Sequence, residues 1–88
     1  MVQYAGAEPI MLKALNMMTE IYGDSNLKVA KASYLLAELY WNQGKWDLAE
    51  PRCQKALEIR EKLLGMNHPD VAMALVGLGG ILTFLIRK

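Results

Sequence analysis

Apolar residues return every three or four positions along most of this 88-residue chain, which is the spacing of one face of an α-helix. Three glycines, Gly23, Gly44 and Gly65, stand 21 residues apart and divide the pattern into segments of similar length. Glycine is favoured just past a helix end because the backbone there often turns left-handed. The sequence therefore predicts an all-α chain of four helices, near residues 4–22, 27–43, 46–64 and 69–86.

Each predicted helix has a face that we expect to be buried. The inward residues are expected to be Ala7, Met11, Ala14, Leu15, Met18, Ile21 and Tyr22 in the first helix, Val29, Ser33, Leu36, Ala37 and Tyr40 in the second, and Ala49, Cys53, Ala56, Leu57, Leu63 and Leu64 in the third. The fourth helix is apolar nearly all round between Val71 and Ile86. Such a helix needs neighbours on more than one side.

An internal repeat with a period of 42 residues relates the helices to one another. Residues 7–9 (Ala-Glu-Pro) recur at 49–51, and residues 13–15 (Lys-Ala-Leu) recur at 55–57. A fixed internal period is the signature of a stacked-repeat architecture. The third helix is thus expected to repeat the first, and the fourth to repeat the second.

Composition narrows the classes of function. The formal net charge is +1, which gives no electrostatic footprint for nucleic acid. A single cysteine, Cys53, excludes an intrachain disulfide, and with His68 as the one histidine a zinc site is not expected. We therefore expect no metal, no cofactor and no nucleic-acid partner, and a reducing, cytoplasmic location.

The residues that could carry catalysis have other expected roles. His68 has only Asp70 beside it in sequence, and Asn67-His68-Pro69-Asp70 has the composition of a helix start. Cys53 falls on a helix packing position, which favours a buried and inert thiol. The sequence thus predicts a protein that is not an enzyme and has no catalytic residues.

Residues 37–51 (Ala-Glu-Leu-Tyr-Trp-Asn-Gln-Gly-Lys-Trp-Asp-Leu-Ala-Glu-Pro), with the segments at 56–65 and 68–72, resemble the tetratricopeptide repeats of kinesin light chains. Those repeats are of the 42-residue variety. The resemblance implies pairs of antiparallel helices, A then B, that stack into a superhelix. On that pattern the four helices come in the order B-A-B-A, and residues 1–88 form a single repeat domain cut from a longer array.

The resemblance also implies a binding groove, since the A helices of this family line a concave face that binds extended peptides. The implied partner-binding residues are Lys31, Tyr34, Glu38, Trp41 and Asn42, with Leu35, Met73, Val76, Gly77 and Gly80 on the same face. Trp41 is either an exposed contact residue or a residue that packs against a neighbouring helix. Kinesin light chains carry paired asparagines where this chain has Tyr34-Leu35 and Val76-Gly77.

Two classes of function remain open at this point. The first is a protein-interaction scaffold that binds a protein or peptide partner. The second is a membrane-associated adaptor anchored by Val71–Ile86, although that stretch is shorter than the ~20 apolar residues that span a bilayer. A membrane partner is therefore not expected.

Self-association is a further expectation. The order B-A-B-A leaves the first helix without its A helix and the last helix without its B helix. These two ends are complementary, so copies are expected to join as a closed dimer or an open chain. The residues expected at the contact are Leu78, Leu82 and Leu85 on the last helix and Met11 and Met18 on the first.

Overall fold

The computed structural model describes residues 4–86, and within them the chain forms four α-helices and no strand. Their bounds are α1 Tyr4–Tyr22, α2 Leu27–Asn42, α3 Trp46–Leu64 and α4 Pro69–Ile86. The four predicted helices and the all-α class are confirmed, with α2 ending one residue earlier than expected. The 42-residue shift relates α1 to α3 and α2 to α4.

The turns form where the glycines predicted them. Gly23, Gly44 and Gly65 have φ values of 80°, 78° and 85°, which lie in the left-handed region that other residues avoid. Side chains then cap two of the helix starts. The Asn26 side-chain oxygen accepts a hydrogen bond from the Lys28 backbone N–H at 2.8 Å, which fixes the start of α2.

Each helix packs against the next in the chain. Most of the buried residues lie on α2, α3 and α4, so the core is mainly among these three helices. All five residues that were predicted to face inward on α2 are buried. Ala37 and Ala56 have no exposed surface, as expected for positions where helices approach closely. The buried apolar residues outside α2 are Leu15, Ala49, Cys53, Ala56, Leu57, Ile59, Val71, Ala74, Leu78 and Ile81.

Some residues that were expected to face inward are exposed. Ile21 is 69% exposed and its repeat equivalent Leu63 is 45% exposed. Tyr22 is also exposed, and its ring lies 4.7 Å from the Lys28 ammonium. These three residues stand in the last turn of a helix. Helical spacing places them on the apolar stripe, but the neighbouring helices leave the end of that stripe uncovered. Ala14, which was also expected to face inward, is exposed in the middle of α1 beside an open cleft between α1 and α2.

One surface ion pair joins α1 to the turn before α3, and a second joins the turn after α1 to α3. The Lys45 ammonium lies 3.4 Å from the Glu8 carboxylate, and Lys55 lies 3.0 Å from Asp24. The side chains of these pairs are largely exposed, so each pair stabilises the fold by at most about 1 kcal/mol. They therefore add little to the stability of the fold.

Candidate partner-binding surface

Two aromatic side chains join α2 to α4. The rings of Tyr34 and Trp41 meet edge to face, with centroids 5.8 Å apart and planes at 87°. Both rings pack over Gly77 of α4, where an added Cβ would lie 3.3 Å from the Tyr34 hydroxyl oxygen and 3.4 Å from two Trp41 ring carbons. Trp41 is half-buried and therefore packs against a neighbouring helix, the second of the two roles considered for it.

Beside this contact, an open cleft of about 320 Å³ lies between the end of α2, the start of α3 and the second half of α4. Trp46 and Phe84 stack on one another there, with ring centroids 4.0 Å apart and planes at 13°. The residues that line this aromatic cleft are Trp41, Trp46, Val76, Gly77, Gly80, Ile81 and Phe84.

A buried arginine supports the aromatic pair from the side of α3. The Arg60 guanidinium lies 4.9 Å from the centre of the Tyr34 ring, within the range of a cation–π contact. Its Nη1 donates to the Asp70 carbonyl oxygen at 3.4 Å, and only 9% of the residue is exposed. Burial raises the pKa of Tyr34, with smaller contributions from Cys53 and Glu38, against a lowering by Arg60. The phenol is therefore neutral at physiological pH.

The structure separates the five groove residues that the resemblance implied. Tyr34 and Trp41 of α2 contact each other, and both pack against Gly77 of α4. Glu38 is half-buried and close enough to raise the pKa of Tyr34. Lys31 is exposed and lines a different cleft, between α1 and α2, while Asn42 is exposed as the last residue of α2.

Three cleft residues, Trp46, Ile81 and Phe84, were not placed at a binding site by the sequence analysis. One signal was present in the sequence. Gly77, Gly80 and Phe84 follow one another at spacings of three and four, so they share a face of α4. Local spacing does not predict that the start of α3 lies beside that face, because the contact joins residues 38 positions apart.

The second apolar cleft, which we call the end cleft, has a volume of about 300 Å³ and lies between α1 and α2. Its lining residues are Met11, Ala14, Met18, Lys28, Lys31, Ala32 and Leu35. Met11 and Met18, which were expected at a contact between copies, are half-buried here.

On α4 the residues expected for self-association differ in exposure. Leu82 is exposed and Leu85 is half-buried. Leu78 is only 9% exposed because it belongs to the core of the chain itself. Leu78 is therefore a core residue and offers little surface to a second copy.

The two residues considered for catalysis have structural roles. His68 Nδ1 accepts a hydrogen bond from the Asp70 backbone N–H at 3.1 Å, so it caps the start of α4 as predicted. The Cys53 thiol is buried 3.5 Å from the Ala74 carbonyl oxygen, and burial raises its pKa to about 11. Residues 4–86 contain no group of three His, Cys, Asp or Glu side chains arranged to hold a metal ion.

Comparison with known proteins agrees with this architecture. A family model of the tetratricopeptide repeat matches residues 28–85. The chain is also 28% identical over 71 residues to clustered mitochondria protein homologs of Emericella nidulans, Aspergillus clavatus and Aspergillus fumigatus. That match covers 81% of this chain and 6%, 6% and 5% of those proteins. The chain thus spans a small part of the length of these relatives.

The family match bears on the apolar helix α4, Pro69–Ile86. By length and composition this helix could cross a membrane, with a mean hydropathy of 1.9 and 22% of it buried. The match extends to residue 85 and so includes nearly all of α4. Its repeat equivalent α2 packs against both α1 and α3. The membrane alternative is therefore not supported.

Proposed function

Since this chain belongs to the tetratricopeptide repeat family, we propose that it is a protein-interaction scaffold whose aromatic cleft binds one large apolar side chain of a protein or peptide partner. The proposal includes no catalysis. The 42-residue spacing between equivalent helices supports the longer, kinesin light chain-like form of the repeat. The observation that carries the proposal is an open cleft walled by three aromatic residues, Trp41, Trp46 and Phe84.

The size of the cleft suits an anchor residue. Its volume of about 320 Å³ is at the lower end of the ~300–1,000 Å³ typical of ligand pockets, so it accommodates a single large side chain. Buried aromatic walls supply much of the binding energy at the centres of protein interfaces. Gly77 and Gly80 keep the floor of the cleft free of side chains.

The mode of binding differs from a clamp on the peptide backbone. The positions that carry paired asparagines in kinesin light chains hold Tyr34-Leu35 and Val76-Gly77 here. Tyr34 is engaged with Trp41 and Arg60, and Val76 and Gly77 have no side-chain donor. We therefore propose recognition through an apolar anchor of the partner, with main-chain contacts in a minor role.

Filling the cleft tests this proposal without removing any native contact. A Cβ at Gly80 meets no atom within 4 Å, so Gly80→Leu places a side chain in the cleft and leaves the fold intact. Gly79→Leu is the matched control, because Gly79 also has open space beside it and does not line the cleft. The probe is a set of 12-residue peptides selected on the wild-type chain from a random library.

The selected peptides should share one tryptophan, phenylalanine or leucine, and titration calorimetry should show at least about tenfold weaker binding to Gly80→Leu. Binding to Gly79→Leu should match that of the wild type. Circular dichroism of both variants checks that the helices persist. Equal binding to wild type and Gly80→Leu would show that the cleft is not the binding site.

A further inference from the structure

The apolar part of the end cleft is the uncovered counterpart of a surface that is covered elsewhere in the same chain. Its pairs under the 42-residue shift are Met11 and Cys53, Ala14 and Ala56, and Ala32 and Ala74. The two lysines of the cleft, Lys28 and Lys31, correspond instead to Asp70 and Met73, which are exposed. The second member of each apolar pair has no exposed surface, since α2 packs against α3 at that site and reaches α4 at Gly77. The first members line an open cleft, and Ala14 is exposed.

We propose that α4 of a second copy of this chain fills the end cleft, in the way that α2 packs on α3 and α4 within one copy. The helix α4 is the repeat equivalent of α2. Leu75 and Leu82 on α4 are 46% and 42% exposed, whereas their equivalents on α2, Ser33 and Tyr40, are 0% and 5% exposed. The exposed face of α4 is therefore the face that α2 uses inside the chain.

The side chains at the proposed contact match each other in polarity. Inside the chain, Tyr34 of α2 meets the Arg60 guanidinium of α3. Val76 lies 42 residues after Tyr34, and Met18 lies 42 residues before Arg60, so the equivalent contact between copies pairs Val76 of one copy with Met18 of the next. A polar pair is thus replaced on both sides by an apolar pair, so neither side leaves a charge buried without a partner.

The side chains also match in size. Inside the chain, the large Trp41 packs over Gly77, which has no side chain. The equivalent pair between copies is Thr83 of one copy and Leu35 of the next. Thr83 on α4 is smaller than Trp41, and Leu35 in the cleft is larger than Gly77. The large side chain of the pair is therefore supplied by the cleft and not by the docking helix. Compensation at both pairs favours a second copy of this chain as the occupant.

The contact is head-to-tail, and of the residues paired in it Val76 is the one that also lines the aromatic cleft, so most of that cleft stays open. Docking α4 against the α1 and α2 helices of the next copy continues the order B-A-B-A without a break. A contact between two different faces closes into a ring if the rotation permits and otherwise extends into a chain. Each copy then presents its own aromatic cleft to a partner, so the proposed function does not depend on this contact.

Two substitutions disable one face each. Ala14→Glu places a charge in the end cleft, and Leu82→Glu places one on α4. Both residues are exposed in the single chain and neither lines the aromatic cleft, so the fold of each variant is retained. The side chain introduced by Ala14→Glu is also too large for the contact, because the equivalent Ala56 has no exposed surface, and Leu82→Glu places a carboxylate on an apolar face. Each change should weaken association by about a hundredfold or more. Each variant alone should be monomeric at concentrations where the wild type associates.

Mixing the two variants is the decisive step, measured by light scattering coupled to size-exclusion chromatography. The intact α4 of Ala14→Glu copies can dock in the intact end cleft of Leu82→Glu copies, so the mixture should form a one-to-one dimer and stop there. The two introduced charges have the same sign, so attraction between them cannot produce the dimer. A contact between two identical faces would not be rescued by mixing.

Ile21→Glu is the matched control. Ile21 is exposed, and its equivalent Leu63 remains exposed although α2 and α4 pack against α3. This variant should associate like the wild type. A wild type that stays monomeric at several hundred micromolar would overturn the proposal. A wild type that associates while the mixture of Ala14→Glu and Leu82→Glu stays monomeric would overturn it as well.

Discussion

Trp41 and Gly77 meet across the junction of α2 and α4 as a large side chain packed over a residue that has none. A Cβ atom at Gly77 would lie in van der Waals contact with the Trp41 ring at 3.4 Å and closer still, at 3.3 Å, to the Tyr34 hydroxyl oxygen. The pairing sets the distance between the two helices and leaves the aromatic cleft open beside it. The glycine therefore has a packing reason in the middle of a helix, where glycine costs about 1 kcal/mol relative to alanine.

A larger residue at this point should push the helices apart. We expect Gly77→Leu to lower the free energy of unfolding by about 1–3 kcal/mol, because its side chain must displace the rings of Trp41 and Tyr34. Gly79→Leu is the control, since a Cβ at Gly79 meets nothing within 4 Å. It should leave stability unchanged or raise it by up to about 1 kcal/mol through helix propensity. Urea denaturation followed by circular dichroism measures both, and equal midpoints would contradict the packing role of Gly77.

The close approach of helices at two buried alanines is open to the same kind of test. Ala37→Leu and Ala56→Leu should each destabilise the chain by about 1–3 kcal/mol through overpacking. Ala14→Leu is matched to Ala56→Leu because the two alanines are related by the 42-residue repeat and Ala14 is exposed. Its thermal midpoint, measured at low protein concentration, should stay close to that of the wild type. A midpoint unchanged by Ala56→Leu would mean that the helix register is wrong.

The thiol of Cys53 should resist alkylation while the chain is folded. Its pKa is raised to about 11 from an ordinary value of 9.0, chiefly by burial, so little thiolate forms below that pH. Iodoacetamide at pH 8 should label it slowly in buffer and rapidly in denaturing urea, with mass spectrometry as the readout. Rapid labelling of the folded chain would contradict the buried position.

The same shift gives a sign for the pH dependence of stability. Between pH 9 and about pH 11 the unfolded chain loses the thiol proton and the folded chain keeps it. The unfolded state then binds fewer protons, so the free energy of unfolding falls as pH rises through that window. Cys53→Ala should remove this part of the decline. Identical slopes for wild type and Cys53→Ala would contradict the raised pKa.

Loss of the Trp41 ring should weaken binding of the peptides selected on the wild-type chain. Trp41→Ala removes one wall of the aromatic cleft, so affinity should fall at least about tenfold, as for a residue at the centre of an interface. Leu63→Ala, an exposed change on α3, should leave affinity unchanged. Arg60→Ala is unsuitable as a control, since Arg60 packs on the ring of Tyr34. Equal losses from Trp41→Ala and Leu63→Ala would count against the cleft.

Much of the fold follows from local signals in the sequence. Glycines at the turns and the helical period predicted all four helices, and the inward face of α2 from Val29 to Tyr40 is buried as expected. The stripe on α1 and α3 was predicted to continue through Ile21 and Leu63, which are exposed. Periodicity shows which side of a helix is apolar, but the length of that side covered by other helices depends on tertiary packing.

The candidate site was harder to predict, because contacts between α2, α3 and α4 form it. Trp41 was singled out from the sequence, but its contact with Gly77 depends on how α2 crosses α4. The stacking of Trp46 on Phe84 joins the start of one helix to the end of the next. Neither contact leaves a trace in local spacing. The 42-residue repeat, by contrast, predicts which internal contact would be repeated at each exposed position.

Crosslinking of introduced cysteines with a short bismaleimide tests most directly whether the internal helix junction is repeated between copies. Leu35→Cys and Val76→Cys occupy the positions equivalent to Gly77 and Tyr34, where the contact within one chain is made through the far end of the Tyr34 side chain, so the crosslinker must span more than a disulfide does. With this reagent a mixture of the two variants should form mainly the mixed 35–76 dimer, and Ile21→Cys mixed with either should form little, while the buried Cys53 takes no part. Equal yields for 35–76, 76–76 and 21–76 pairs, or no crosslink at a concentration where the wild type associates, would contradict the head-to-tail junction.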